Sequence, residues 1–236
     1  MVAKKSKSKA KAVKTKIIKK KTGISRVFVT GCPRSGNTLI LLLLAWGDKK
    51  WKRLHGEQFP KRQVNVIGKR PSDDGVAQVA EMLKKDSKLF VIWMVRDPRD
   101  TCVSVHAYNP EKKPMVSGAM WLQRAKQGLG FLSHDRVRMV RYEDLVVDPN
   151  GVQERLSKII PLNIDKKWTD WNGEGINEET KDKGEAKNVK ALGGVRPVQI
   201  SRIGAYKETE NGQKLALKLG ANPEVREMAA KFGYEF

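Results

Sequence analysis

Residues Val27 to Leu44 read VFVTGCPRSGNTLILLLL, and no other stretch limits the fold as tightly. A short β-rich run, Arg26 to Gly31, ends at a glycine, and a compact polar turn follows. From Gly36 to about Gly47 a nearly unbroken apolar pattern suits a buried helix. A strand, a glycine-bounded loop and a helix in direct succession aim several backbone N–H groups and a helix N-terminus at one point. That arrangement makes an anion site without need of a metal. The spacing of Gly31, Gly36 and Thr38 matches GxxxxG-x-[ST], the form of a nucleotide-triphosphate loop. That motif demands lysine where Asn37 stands, and here Arg34 lies two residues before the second glycine instead. A plain turn from strand to helix is the alternative, but Arg34, Ser35, Asn37 and Thr38 are more anion-friendly groups than filler requires.

The rest of the chain alternates strands with helices. VNVIG (Val64 to Gly68) reads as a short strand, and Ser72-Asp73-Asp74 offers caps for a helix through GVAQVAEMLKK. KLFVIWMV (Lys88 to Val95) is almost continuously apolar, as a central strand covered on both faces must be. A helix follows Asp97-Pro98 and another covers Val116 to Leu132, with Trp121 and Leu122 facing the core. VRMVRYE (Val137 to Glu143) gives a fourth strand, whose end Tyr142, Glu143 and Asp144 brace, and GVQERLSKII (Gly151 to Ile160) a further helix. Residues 170 to 198 are polar and glycine-rich, the pattern of a long mobile loop; Trp168 and Trp171 beside it pack under the loop or line an acceptor pocket. Asn222 as N-cap and Pro223 at the first helical position begin a closing helix. This order implies an α/β fold, a central parallel sheet flanked by helices.

At 236 residues the chain suits one domain, residues 23–236, behind a separate N-terminal arm. Residues 1–21 hold ten lysines and no acidic residue, so the sequence predicts a disordered basic arm over 1–22. The formal net charge is +21, and +11 remains without the arm, still enough to favour an anionic ligand. The arm's chemistry suits an anionic polymer such as nucleic acid, an anionic membrane surface, or simple solvation. Two cysteines, Cys32 and Cys102, build no disulfide framework, which points to a reducing, cytoplasmic setting. The longest apolar run, Leu39 to Trp46, is eight residues, far below the roughly 20 that span a bilayer, so a soluble protein is expected.

VRDPRDTCVSVH follows the apolar central strand and decides between the phosphate readings. Arg96 stands at the strand end where a triphosphate site wants a carboxylate for Mg²⁺, and Ser104 comes eight residues later. A helix from Pro98 places Ser104 about two turns in, on a face that turns back toward Arg96, and an arginine with a nearby hydroxyl clamps a phosphate. The competing reading is an ion pair of Arg96 with Asp97 or Asp100. Two phosphate clamps on neighbouring strand ends suit a nucleotide phosphorylated at two positions. The other classes are a degenerate P-loop kinase or hydrolase, and a noncatalytic basic binding protein working through the arm.

With these residues in place, the sequence resembles the sulfotransferases that use 3′-phosphoadenosine 5′-phosphosulfate (PAPS). CPRSGNT resembles that family's 5′-phosphosulfate loop, often PKSGTT or PRSGTT, and VRDPRDTCVS resembles its 3′-phosphate segment. VRYEDLVVDP (Val140 to Pro149) and SRIGAYK (Ser201 to Lys207) resemble later segments, with Tyr206 where tryptophan is common. The resemblance implies a P-loop-like core, PAPS as donor, 3′,5′-bisphosphoadenosine (PAP) as product and no metal requirement. It assigns Pro33, Arg34, Ser35, Gly36, Asn37 and Thr38 to the 5′-phosphosulfate, and Arg96 with Ser104 to the 3′-phosphate. Arg202 and Arg196 are the candidates for further 3′-phosphate contacts. Arg34 takes the place of a lysine; permanently charged, it stabilises the leaving phosphate but donates no proton.

Sulfuryl transfer to a hydroxyl or amine requires a base for the acceptor proton. Glu57 in LHGEQF comes first, because some bacterial and glycan-directed members place a catalytic glutamate ahead of an aromatic. Arg34 and Lys69, if near, would weaken it by lowering its pKa. His55 follows, with an intrinsic pKa near 6.5. Asp74 is third, its competing role being helix capping. The acceptor, a small molecule or a glycan, has no recognisable code in the chain.

Overall fold

The computed structural model describes residues 23–61, 63–105, 113–172, 198 and 200–236. Five strands form one parallel sheet: β1 (Arg26–Gly31), β2 (Lys52–Arg53), β3 (Val66–Lys69), β4 (Leu89–Val95) and β5 (Val137–Arg141). Their spatial order is β2-β3-β1-β4-β5, with every pairing parallel. All seven residues of β4 are buried, which is why its sequence is apolar without alternation. In β1, Val27 and Val29 point to one face and Phe28 to the other, and each face meets its own helix layer.

On the first face lies α1 (Asn37–Gly47), whose Ile40, Leu41, Leu43 and Leu44 pack on Val27, Ile67, Ile92 and Met94. Helices α6 (Tyr142–Val147) and α7 (Pro149–Ser157) extend this layer, and Trp168 and Trp171 are buried within it. Those two tryptophans are therefore packing residues. On the second face α2 (Asp73–Ala77) and α3 (Val79–Lys85) cover Phe28, Val91 and Trp93. A third cluster joins α4 (Pro98–Val103), α5 (Gly118–Gly130), α8 (Glu210–Ala221) and α9 (Pro223–Ala230) around Trp121, Leu219 and Met228. No described helix is long and apolar enough to cross a membrane.

Several boundaries differ from the sequence reading. The strand expected over Val64 to Gly68 is shifted to Val66–Lys69. The strand expected through Glu143 stops at Arg141, because Tyr142 and Glu143 open a helix. The helix expected from Gly151 starts at Pro149, where the Asp148 side chain accepts from the Gly151 N–H at 2.8 Å. The helix after Ser72 is two short ones broken at Gln78. Neither β2 nor α8 was expected, nor the 3-10 turns Trp168–Asp170, Ile200–Arg202 and Ala205–Glu208. The closing helix has the expected cap, with Asn222 Oδ1 accepting from Glu224 and Val225 N–H. The expected arm, and residues 173–197 of the loop expected over 170 to 198, lie outside the described residues.

Candidate active site

The chain leaves β1 toward β2 and β3 on one side, and leaves β4 toward β5 on the other. Adjacent strands whose connections diverge open a crevice at their carboxyl ends, the usual ligand position in such sheets. Here that crevice holds the Cys32–Gly36 turn after β1 and Arg96 after β4.

The turn is shaped by its backbone. Gly36 sits at φ 88 as the N-cap of α1, and a Cβ on it would stand 2.7 Å from Tyr142 Cδ2. Only glycine admits both that conformation and that approach. Arg34 also takes a left-handed conformation, φ 67, uncommon for a residue with a side chain. Asn37 is buried, and its Nδ2 donates to the Cys32 carbonyl at 2.8 Å, so its side chain closes the turn rather than facing a ligand. Ser35 is fully buried with its Oγ lacking a partner among the described residues. Pro33 is half-buried, and Thr38 is exposed on the first helical turn.

The two clamps read separately from sequence meet in space. Arg34 Nε donates to Ser104 Oγ at 3.0 Å, and its Nη2 to the Val105 carbonyl at 3.2 Å. Ser104 is not two turns into a helix: α4 ends at Val103, and the extended backbone of Ser104 (φ −71, ψ 114) carries its hydroxyl to Arg34. Arg96 is 7 % exposed, and its guanidinium stacks 4.3 Å from the Tyr142 ring. Its Nη1 donates to the Arg34 carbonyl at 3.4 Å and its Nη2 to the Arg202 carbonyl at 2.6 Å. The ion pair foreseen as an alternative also exists, with Asp100 at 3.6 Å; Asp97 instead pairs with Arg99. Arg96 Nε is buried without an acceptor among the described residues.

Three arginines thus converge. Burial, followed by the charges of Arg96 and Arg202, holds the Arg34 guanidinium below its usual pKa. Like charges brought this close, with buried donors left over, make a site that an anion with more than one negative group would complete. Tyr142, read from sequence only as a strand brace, touches both Gly36 and Arg96 and belongs to this site. The signal for it was an aromatic residue directly after a buried strand. Arg196 lies outside the described residues.

The candidate bases lie on the β2–β3 side. Arg53 is level with Ile67, and Ile67 with Val27 on β1, so Glu57 leaves the sheet edge two strands, about 10 Å, from β1. Glu57 is exposed, and His55 is half-buried with its carbonyl accepting from Gln58 Nε2 at 2.9 Å. Asp74 accepts from Ser72 Oγ at 2.6 Å and pairs with Arg70 Nη2 at 2.6 Å. The Ser72 hydrogen bond first, and then Arg70, hold the Asp74 carboxyl below its ordinary range. The structure brings together Arg34, Arg96, Ser104 and Arg202, and ties neither Glu57 nor Asp74 to them.

The family described as "Sulfotransferase domain" matches residues 25–183. No curated protein sequence matches the chain. Among solved structures, the sulfotransferase domain from the curacin biosynthetic pathway is similar at TM-score 0.63 and 15% identity, over 90% of this chain and 99% of that one. The sulfotransferase domain from the Synechococcus PCC 7002 olefin synthase follows at 0.58 and 15% identity, over 90% of this chain and 96% of that one. Mouse sulfotransferase SULT7A1, solved in complex with PAP, gives 0.51 and 12% identity over 85% of this chain and 90% of that one. The structural likenesses establish a shared fold, and the family match spans the strand, loop and strand-end arginine that build the crevice. This chain is a member of the sulfotransferase family.

Proposed function

We propose that the protein transfers a sulfuryl group from PAPS to a hydroxyl or amine acceptor, a small molecule or a glycan. The observation that carries this reading is that Arg96 and Arg202 lie close enough to Arg34 for their charges to lower its pKa, with Ser35 Oγ and Arg96 Nε buried and without a partner among the described residues. The PAP complex of the mouse neighbour supports the choice of donor. When bound, the donor supplies an activated sulfuryl group and a phosphate that leaves with the charge. The backbone N–H groups from Pro33 onward through Arg34, Ser35, Gly36, Asn37 and Thr38 hold the 5′ end; Pro33 itself has none and sets the turn. Asn37 contributes through its main chain, because its amide is committed to Cys32. Arg34 stabilises charge on the leaving side, with Ser104 fixing its orientation. Arg96 and Arg202, with Ser104 alongside, hold the 3′-phosphate. Glu57, exposed and without an ion pair among the described residues, takes the acceptor proton, ahead of His55 and of the paired Asp74.

We place the protein in the cytoplasm. Both thiols are buried and unpaired, and burial pushes Cys32 and Cys102 up to about 12, where they stay unreactive. Calorimetry tests the donor assignment. PAP should bind tightly with a chelator present. Mg²⁺-dependent ATP binding with no PAP binding would instead mark a degenerate P-loop kinase or hydrolase.

A further inference from the structure

The Asp100 carboxylate has no part in the roles given so far. It lies one turn after Arg96 and is 1 % exposed. Its Oδ2 accepts from the Gly204 N–H at 2.8 Å and its Oδ1 from the Tyr206 N–H at 3.1 Å, more than 100 residues away in sequence. Between those contacts and the Arg96–Arg202 hydrogen bond, the strap Ile200–Tyr206 is fastened at three backbone points by two side chains of one turn.

A negative charge here opposes the binding of any phosphate at Arg96. Two N–H groups converging on one buried side chain give the counterweight, because only a carboxylate offers two acceptor oxygens and no competing donor. We propose that Asp100 is a positioning residue that fastens the strap over Arg96, so that Arg202 faces the 3′-phosphate and the site discriminates 3′-phosphorylated nucleotides from those lacking that group. This rests on the donor reading above.

Calorimetry on the full chain with PAP and with adenosine 5′-phosphate gives two dissociation constants, whose ratio is the readout. Asp100→Asn keeps one acceptor oxygen and loses the other. The preference for PAP should fall about tenfold, the scale of one lost hydrogen bond to a charged group, with adenosine 5′-phosphate affinity nearly unchanged. Hydrogen exchange should show the Gly204 and Tyr206 amides opening faster while β4 amides keep their rates. Gly204→Pro attacks the same contact from the strap, since Gly204 has φ 78 and proline has neither that conformation nor the N–H. It leaves α4 intact and should lower the ratio in the same way. An unchanged ratio, or equal loss of both affinities, overturns the role of Asp100. A wild-type chain that binds no PAP overturns the donor reading itself, and with it this role.

Discussion

At Arg34 two unfavourable terms coincide. A non-glycine residue at φ 67 carries local backbone strain, of order 1–3 kcal/mol for such outliers, and the guanidinium is partly desolvated beside two other arginines. Negative charge arriving at the same point offsets both, so the strain reads as preparation for an anion. Arg34→Ala and Glu57→Gln should therefore fail in different ways. The alanine variant loses charge on the leaving side and should drop kcat by about 10²–10³, the range for one lost electrostatic donor. The glutamine variant should lose turnover while PAP affinity stays at the wild-type value. Full turnover in Glu57→Gln removes Glu57 as the base and moves attention to His55. Arg34 and Arg96 were legible because the motif spacing fixes them at strand ends. The Arg34–Ser104 contact was not, since it depends on α4 ending one residue before Ser104, and Asp100 could be read only as a partner for Arg96.

At the scale of elements, the junction of β5 with α6 binds three parts of the chain. Glu143 Oε1 accepts from the Asp97 N–H at 3.0 Å, and its Oε2 from the Tyr234 hydroxyl at 2.7 Å. The turn that carries Arg96 and the C-terminal GYEF segment thus share one carboxylate, with Tyr142 beside it stacked on Arg96. Burial pushes the Glu143 carboxyl above its ordinary 4.5. A raised native pKa means that the folded state holds the proton longer than the unfolded chain. The contribution is full below 4.5 and is lost as pH rises through the native value. Glu143→Gln does not titrate and keeps an oxygen for Asp97. Its urea midpoint relative to wild type should rise from pH 4.5 toward neutrality and then level off. A difference that stays flat with pH would show that burial does not tax this carboxylate. The elements that sequence revealed best, β1, β4 and α1, are those with apolar patterns set by burial on both sides. By contrast β2 is two residues long and exists through its register with β3, while α8 buries only Gly212 and Leu219. The strand β2 is too short to carry a periodic signal; α8 has one, Leu215 and Leu219 four residues apart on the core side, but the exposed Leu217 between them blurs it.

For the whole molecule, the crevice draws on parts far apart in the chain: the turn after β1, the end of β4, the start of α6 and the strap before α8. A ligand that fills it must therefore stabilise the fold as a unit. At one hundred times its dissociation constant PAP should add about 2.7 kcal/mol, which for a chain of this size raises the melting temperature by roughly 5–10 °C. Chelator should leave the shift unchanged. The ten arm lysines contribute a separate, long-range attraction, screened over about 8 Å at physiological salt. Removing residues 1–22 should keep the PAP shift at a matched ratio of ligand to dissociation constant, while weakening retention on a polyanion column at low salt. The pairing of those two results matters more than either alone. A shift that vanishes with the arm would mean that the lysines, and not the crevice, bind the nucleotide. The three arginines would then be a structural cluster, and the chain a basic binding protein on a sulfotransferase fold.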